Sequence, residues 1–425
     1  MRRGRRLDRA FADREFADPR DRGWCRELVF GIERLRGRLD YLLDRRVRRG
    51  LESLDVRVRD ALRIGVYEIL YMDGVPEYAA VSQAVALARS LAGPGIGGLV
   101  NAVLRAVVRE GGGEEHFPDP SADPLGYLST WGSHPRWLVQ RWLARWSFGD
   151  VQDLIERNNR VPPIHLRCLW DSPERAQEAL AGEGIEAEPV GCGTGCVVLH
   201  EHGTLVRSLE VVASVVQDPA AALVVQYSDP APDARVADLC AAPGGKAVTL
   251  GARGNVVLAA DVSRRRLGLV RENVRRVQQM AGQGRRLRVH TAQADALAPV
   301  VDQMDMVLVD VPCTGTGTLR RNPDVRWKLT AARLADLTAL QGRILDACAE
   351  VVAKEGVLVY STCSLEAEEN EGQIDAFLRR RPDFRIEAGS GVDARYLDGL
   401  GQLSVLPQAF GFDGAFAARL RRSYS

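Results

Sequence analysis

Residues 236–246 read VADLCAAPGGK, an apolar run that ends in small residues, two glycines and a lysine. The apolar run predicts a buried strand, and the glycines permit a sharp turn from this strand into a helix. Apolar runs and helical patterns continue to alternate downstream, with further strands predicted at residues 256–260, 287–290, 306–309 and 357–360. This alternation predicts a doubly wound α/β sheet, parallel in the main. We expect this domain to span residues 226–425.

The loop at residues 240–246 differs from two common nucleotide-binding loops. It lacks the GxGxxG pattern, which disfavours a dinucleotide. Ala247 follows Lys246 where a triphosphate-binding loop has Ser or Thr, which disfavours a triphosphate. In a doubly wound sheet, ligands bind at the carboxyl ends of the strands. The residues that follow each predicted strand are therefore the candidates for a functional site.

Asp261 and Asp295 follow the second and third predicted strands. Asp261 lies some twenty residues after the first strand, about the separation at which a carboxylate binds the hydroxyls of a ribose. Each residue by itself is more often a cap or a turn residue. Their joint position behind a glycine loop favours a bound nucleoside with a free ribose and an amino group on its base.

The fourth and fifth predicted strands end in cysteine-containing loops, DVPCTGTG at 310–317 and STCS at 361–364. Helix starts are predicted after both loops, and a helix N-terminus lowers the pKa of a thiol. We therefore expect reactive thiols at Cys313 and Cys363. Neither loop contains His, which disfavours a Cys–His hydrolase. The eight cysteines form no CxxC pair, so no metal site is expected.

The first half of the chain has a different pattern. Apolar residues at three-four spacing predict helices at 25–42, 56–71, 79–91 and 98–109, and we expect an all-helical domain over residues 1–118. A linker rich in Gly, Pro and acidic residues follows at 111–124. Residues 125–160 are again helical, with Ser133 as a candidate N-cap, and short strands surround a helix at 173–184. Residues 125–225 are therefore predicted to form a small α+β subdomain.

Charge and hydropathy exclude several classes of protein. The 46% hydrophobic and 27% charged residues are ordinary for a globular protein, which excludes fibrous and fully disordered chains. No window approaches 18 apolar residues and no signal peptide is recognisable, so we expect a cytoplasmic protein without a membrane span. The formal charge of +1 argues against a nucleic-acid partner, but residues 1–50 hold 16 Arg against nine acidic residues. Binding responds to the local field, so this segment is a candidate for RNA contact.

Three motifs together, LCAAPGGK, DVPCTGTG and STCS, resemble those of the S-adenosylmethionine-dependent RNA cytosine-C5 methyltransferases. The helical segment, with GVYEILYMDGVPEYAAVSQAVALA at 65–88, resembles the NusB-like RNA-binding domain of one branch. That branch is the bacterial small-subunit (16S) rRNA methyltransferases of the RsmB/Sun type. The resemblance covers about residues 7–420. It implies an all-α NusB-like domain, a small α+β linker domain, and an α/β Rossmann-like class I methyltransferase domain.

The resemblance also implies a mechanism. Cys363 attacks C6 of cytosine, Asp310 holds N3, and C5 takes the methyl group. Cys313 helps remove the C5 proton and release Cys363, while Lys246 aids positioning or charge near the base. The implied S-adenosylmethionine contacts are Cys240, Ala241, Ala242, Pro243, Gly244, Gly245, Lys246, Asp261, Asp295 and Asp310. The implied partner is small-subunit ribosomal RNA, and we expect a monomer without a metal.

Several alternatives and departures remain. The same chemistry could serve tRNA or another rRNA site, and a non-catalytic NusB-like RNA-binding protein is an alternative of a different class. A third alternative, a small-molecule methyltransferase, would not need the long segment before the catalytic domain. The sequence begins near where the second helix of a NusB-like domain would, so most of the first helix is expected to be missing. The family's QD-x-(S/A)-S and DGFF patterns are here QDPAA at 217–221 and DGAF at 413–416.

Overall fold

The computed structural model describes residues 7–282 and 284–423, which form two compact units. Unit 1 contains the described residues up to Val161 together with Leu319–Lys328. Unit 2 contains Pro162–Thr318 and the described residues from Leu329 onward. The chain therefore leaves unit 2 for ten residues in the middle of the predicted catalytic domain and then returns to it.

Unit 1 is helical. Its helices are α1 (Leu7–Ala12), α2 (Pro19–Asp44), α3 (Val56–Tyr71), α4 (Glu77–Ala92), α5 (Gly97–Glu110), α6 (Pro124–Thr130), α7 (Arg136–Leu143) and α8 (Phe148–Asn158). The apolar faces of α2 to α5 meet in one core that includes Leu39, Leu62, Val66 and Leu104. The four helices predicted from the apolar spacing are confirmed, and Asp55 caps α3 by accepting a hydrogen bond from the Arg57 N–H.

Ser133 is not the helix cap that we predicted. Pro135 occupies the N-cap position of α7, and Ser133 is buried with a positive φ of 57°. Its hydroxyl donates to the Arg34 carbonyl at 2.9 Å and accepts from the Gly37 N–H at 2.9 Å. The side chain therefore satisfies backbone groups of α2, a demand that the local sequence around Ser133 does not reveal.

Leu319–Lys328 is anchored in unit 1 by the buried side chain of Arg326. Its guanidinium donates to the carbonyls of Ser133 at 3.0 Å and Asn158 at 3.1 Å and to Asn159 Oδ1 at 2.8 Å. Burial, and then repulsion from Arg34, lowers the pKa of Arg326 to about 9. Carbonyl groups of unit 1 therefore accept the hydrogen bonds of the Arg326 guanidinium, a role that a carboxylate often has, and they anchor this segment.

Unit 2 begins with a small antiparallel sheet in the order β2-β3-β1-β4. Its elements are β1 (Ile164–Cys168), α9 (Pro173–Gly182), β2 (Ala187–Pro189), β3 (Cys196–Leu199), α10 (Leu205–Val211) and β4 (Ser214–Val216). Leu166, Leu180 and Val197 lie in the core between this sheet and its helices.

The rest of unit 2 is a large mixed sheet in the order β10-β12-β9-β8-β5-β6-β7, with β11 paired to β12. Its elements are α11 (Pro219–Ser228), β5 (Arg235–Asp238), α12 (Gly245–Ala252), β6 (Val256–Asp261), α13 (Arg264–Gln279), β7 (Val289–Gln293), β8 (Met304–Asp310), α14 (Ala331–Glu350), β9 (Val352–Thr362), α15 (Glu371–Arg380), β10 (Phe384–Ile386), β11 (Leu403–Val405), α16 (Pro407–Phe410) and β12 (Ala415–Arg422).

The central strands of this sheet are buried on both faces. Val236 and Leu308 pack on one side, and Ala237, Val307 and Val309 pack on the other. Burial on both faces is the reason that these strands are continuous apolar runs in the sequence. The five strands β5 to β9 are parallel, which confirms the predicted fold class. The strand β12 runs antiparallel to β9 and pairs antiparallel with both β10 and β11. In the described part of the chain, no helix is both long and apolar enough to cross a membrane.

Candidate active site

The carboxyl ends of the parallel strands bring the predicted site residues to one edge of the sheet. The 240–246 loop follows β5, Asp261 ends β6, and Asp310 ends β8. Cys313 lies three residues beyond β8, and Cys363 comes directly after β9. Because β5 lies between β6 and β8, and β9 lies on the far side of β8, the sequence-predicted residues come from neighbouring strands.

The glycine turn after β5 is held in one conformation. Gly244 has φ of 105°, and a Cβ there would lie 3.0 Å from Val270 Cγ1 and 3.1 Å from Val270 Cα. Only glycine fits this position without strain. The carbonyl oxygens of the loop face α13, where Arg266 donates to the Ala242 carbonyl and Asn273 donates to the Pro243 carbonyl at 3.2 Å.

Lys246 and Asp310 form an ion pair, with 2.7 Å between Lys246 Nζ and Asp310 Oδ2. The other carboxylate oxygen of Asp310 accepts a hydrogen bond from the Ser361 hydroxyl at 2.8 Å. Burial by itself would lower the pKa of Lys246, but the charge and the hydrogen bond of Asp310 raise it above its ordinary value. Lys246 is therefore held as an ammonium ion beside the cysteine loops.

Asp238 and Gln217 border the glycine turn with unsatisfied oxygens. Asp238 is 1% exposed, and its Oδ1 has no hydrogen-bond partner among the described residues; the same is true of Gln217 Oε1. Burial raises the pKa of Asp238 to about 7, against the opposing effect of Lys246. A Cβ on Gly245 would lie 3.3 Å from Gln217 Nε2, so the Gln217 side chain is close to the turn, and Asp238 ends β5 just before the 240–246 loop. Unsatisfied buried oxygens beside an open glycine turn fit a ligand that carries an ammonium group.

Asp261 and Asp295 differ in their environment. Asp261 is buried, and its carboxylate accepts from the Ser263 N–H at 2.8 Å and the Ala242 N–H at 3.3 Å. It also lies 3.4 Å from the Arg266 guanidinium. Asp295 is exposed, and its Oδ1 accepts from the Leu297 N–H at 3.0 Å. Both carboxylates therefore already stabilise turns, which is the alternative that the sequence left open for each of them.

The two thiols are in contact, with 3.4 Å between Cys313 Sγ and Cys363 Sγ. The hydrogen bond with Cys363, followed by burial, raises the pKa of Cys313 well above its ordinary value. The lowered pKa that we expected for Cys313 is therefore wrong. Short 3₁₀ turns, Thr316–Thr318 and Ala367–Glu369, follow the two loops in place of a regular helix start. The dipole of a full helix is therefore not available to the thiol of Cys313.

Sequence reasoning missed the residues that support this site. Ser361 is paired with Asp310 across β8 and β9, and Asp238 lies inside the motif that opens the domain. Strand pairing is the signal that identifies Ser361, because the register places it directly beside Asp310. Within the described residues, no group of three or more His, Cys, Asp or Glu side chains is arranged to hold a metal ion.

Comparison with known proteins places these features in a family. Residues 225–421 match the model for the 16S rRNA methyltransferase RsmB/F, residues 134–205 match the RsmF/B-like ferredoxin-like domain, and residues 3–109 match the NusB family. The probable ribosomal RNA small subunit methyltransferase B of Bacillus subtilis (strain 168) is 33% identical, over 95% of this chain and 91% of its own length. The chain belongs to the ribosomal RNA small subunit methyltransferase B family.

A further relative and two solved structures are also similar to this chain. The ribosomal RNA small subunit methyltransferase B of Pectobacterium carotovorum is 32% identical over 94% of this chain and 90% of its own. The crystal structure of PH0851 is similar with a TM-score of 0.78 and 26% identity, and covers 98% of this chain and 93% of that one. NSun6 from Pyrococcus horikoshii, solved with SFG, has a TM-score of 0.56 at 18% identity over 68% of this chain and 99% of its own, which supports the fold alone.

Proposed function

We propose that this protein transfers a methyl group from S-adenosylmethionine to C5 of a cytosine in small-subunit ribosomal RNA. The observation that carries the proposal is the pair of thiols 3.4 Å apart, Cys313 and Cys363. They lie on loops that follow adjacent strands, next to the Lys246–Asp310 ion pair. A nucleophilic thiol, a second thiol that can act as a base and a charged pair together suit covalent activation of a pyrimidine.

The loop 240–246 is our proposed binding site for S-adenosylmethionine, together with Asp261, Asp295 and Asp310. The unsatisfied oxygens of Asp238 and Gln217 suit the ammonium group of its amino-acid portion. When bound, the donor would supply an electrophilic methyl group. We propose that Asp261 binds the ribose and Asp295 binds the adenine. When the donor binds, the present turn contacts of these carboxylates are shared with it or rearrange.

Cys363 is the proposed nucleophile. Its S–H bond breaks and its sulfur forms a bond to C6 of the cytosine, the C5–C6 π electrons become available at C5, and N3 takes up the proton that the thiol gave up. Asp310 would hold the N3 edge of the base, and the Lys246 ammonium would balance the charge of that carboxylate. Ser361 orients the carboxylate from behind by donating to Oδ1 at 2.8 Å. Because C5 of an unmodified cytosine is a weak nucleophile, this activation precedes methyl transfer.

Cys313 completes the reaction. As a thiolate it takes the proton from the methylated C5, the electrons of that C–H bond restore the C5–C6 double bond, and the bond between Cys363 and C6 breaks. N3 then gives up its proton. The target cytosine must leave its stack to reach thiols that are themselves only partly exposed. The same chemistry on tRNA or on another rRNA site is the second candidate, and the match of residues 3–109 to the NusB family favours rRNA over it.

Replacement of each cysteine tests the proposal. We expect Cys363→Ala to abolish 5-methylcytosine formation and to leave no covalent adduct on RNA that contains 5-fluorocytidine, measured by denaturing gel and mass spectrometry. Cys313→Ala should form the adduct on ordinary RNA and fail to release it. Cys25→Ala, a cysteine of unit 1, serves as the control and should behave like the unchanged protein. Methylation that persists in Cys363→Ala would refute the proposed nucleophile.

Bisulfite sequencing separates the two candidate RNA classes. RNA from a strain that lacks the gene is compared with RNA from the same strain carrying it. Our proposal predicts that one cytosine of the small-subunit rRNA resists bisulfite conversion when the gene is present and is converted when the gene is absent. A lost signal in tRNA, with the rRNA unchanged, would favour the second candidate.

A further inference from the structure

We propose that Glu369 is a positioning residue for Cys313: its buried carboxylate, together with Gln341, sets the position of that thiol opposite Cys363. This inference rests on the proposed function, because it assigns a role within the same reaction. The family comparisons and the sequence motifs give Glu369 no role.

The contacts of Glu369 surround Cys313 on both sides. Glu369 is 0% exposed, and its Oε1 accepts from the Thr314 N–H at 2.9 Å while its Oε2 accepts from the Thr314 hydroxyl. The Gln341 amide donates to Glu369 Oε1 at 2.8 Å and to the Pro312 carbonyl at 3.0 Å. The residues before and after Cys313 are therefore both held by the Glu369–Gln341 pair, which leaves the Cys313 backbone little freedom.

The same segment is tied to the loop of Cys363. The Tyr360 hydroxyl donates to the Glu369 carbonyl at 2.7 Å, and the side-chain amide of Asn370 donates to the Ser364 carbonyl at 2.9 Å. The hydroxyls of Ser364 and Thr314 are 3.1 Å apart. Glu369 therefore belongs to the Cys363 loop and reaches across to the Cys313 loop, so its carboxylate fixes the two thiols relative to each other.

The three donors at this position suit a carboxylate. Three donors converge on Glu369: the Thr314 N–H, the Thr314 hydroxyl and the Gln341 amide. The carboxylate accepts both N–H donors on Oε1 and the Thr314 hydroxyl on Oε2. A glutamine would present an N–H₂ group to the Thr314 hydroxyl, which would then have to turn its proton away and accept in place of donating. No Lys or Arg of the described chain pairs with Glu369. A buried carboxylate without a cation is costly, and positioning of a reacting group gives a reason for it.

Glu369→Gln tests this inference, because it should slow the release of the covalent RNA adduct and leave formation of the adduct nearly unchanged. Cys363 remains on its own strand end, so trapping on 5-fluorocytidine RNA should proceed at a rate within about threefold of the unchanged protein. Turnover on ordinary RNA should fall about tenfold or more, because a misplaced base loses part of its contribution. Adduct should accumulate on ordinary RNA, as expected for Cys313→Ala.

Two further variants make the outcome decisive. Glu368→Gln makes the same change at the neighbouring exposed carboxylate and should match the unchanged protein. Gln341→Met keeps the volume but removes both donors that reach Pro312 and Glu369, so it should also accumulate adduct, even if Glu369→Gln fails to fold. Thermal unfolding of all variants measures any general loss of stability.

The opposing results are distinct from a failure of the proposed function. Turnover of Glu369→Gln equal to that of Glu368→Gln would overturn the inference. So would an equal loss of trapping and turnover in both Glu369→Gln and Gln341→Met, since that pattern indicates a structural role alone. If the unchanged protein itself neither methylates RNA nor traps 5-fluorocytidine, the proposed function fails, and with it the basis of this inference.

Discussion

At the scale of single residues, the pKa of the Cys313 thiol depends on its neighbour Cys363. The pKa of Cys313 is raised first by its hydrogen bond with Cys363 and then by burial. In the proposed adduct the Cys363 sulfur is bonded to C6 and carries no charge. Its hydrogen bond with Cys313 and its electrostatic repulsion of a Cys313 thiolate then disappear. The pKa of Cys313 should then fall, and the residue should become a base only after the nucleophile has reacted.

Alkylation as a function of pH measures this dependence. In Cys363→Ala the main cause of the raised pKa is absent, so the alkylation midpoint of Cys313 should lie at a lower pH than in the unchanged protein. Mass spectrometry after a short iodoacetamide pulse gives the modified fraction, with Cys25 as the internal reference. An identical midpoint in the two proteins would show that burial, and not Cys363, sets the pKa of Cys313.

The residues that we propose to take part in the reaction could be predicted from sequence, whereas the residues that support them could not. Cys313, Cys363, Asp310 and Lys246 follow predicted strands, so the topology of the sheet is enough to gather them. Ser361 and Glu369 act through pairs formed across the fold, and such pairs have no local signature. The pKa of Cys313 was predicted in the wrong direction for the same reason, because Cys363 is 50 residues away in sequence.

At the scale of elements, the two ends of α12 provide a matched pair of glycines. Gly244 caps its start with φ of 105°, and Gly254 lies beyond its end with φ of 100°. A Cβ at Gly244 would meet Val270 of α13, whereas nothing lies within 4 Å of a Cβ at Gly254. We expect both Gly→Ala variants to lose roughly 1–3 kcal/mol of unfolding free energy through backbone strain.

Only Gly244→Ala should also lose affinity for the methyl donor, because the contact with Val270 displaces the turn as well as straining it. Chemical unfolding and calorimetric titration with S-adenosylmethionine measure the two effects separately. Equal donor affinity in Gly244→Ala and Gly254→Ala would show that the turn does not form the donor site.

The boundaries of helices and strands could be predicted from the sequence where an element buries one regular apolar face. The helices α2 to α5 each present one apolar face to a shared core, so three-four spacing located them, and α3 was predicted at its observed bounds. The strand β7 was predicted at 287–290 but spans Val289–Gln293, because its half-exposed residues give a weak apolar pattern. The antiparallel strands β10 to β12 were not predicted, since two of them have only three residues.

At the scale of the whole molecule, the ten residues Leu319–Lys328 belong to unit 1 although the sequence around them belongs to unit 2. A chain of residues 162–425 would keep this segment, in which Leu319 and Arg326 are buried, without the unit 1 residues that bury them. We expect that chain to aggregate, and we expect a short Gly/Ser replacement of 319–328 to restore a soluble monomer. Gel filtration and thermal unfolding of both chains test this.

An unmodified 162–425 chain that is monomeric and as stable as the version with the replaced segment would contradict the expectation. The local sequence gave no indication of this arrangement, because the segment lies between β8 and α14 and reads as an ordinary connecting loop. Its partners, the carbonyls of Ser133 and Asn158, precede it by more than 150 residues.

The placement of Leu319–Lys328 also has a consequence for inheritance. Recombination near codon 161 would part the helical domain from ten residues of its own, which are encoded far downstream inside the other half of the gene. A helical domain acquired from another lineage would then be combined with a Leu319–Lys328 segment that was selected to pack in a different helical domain. We therefore expect the two halves to be inherited together, and we expect exchange between lineages to preserve the fold only when both stretches of the gene are exchanged.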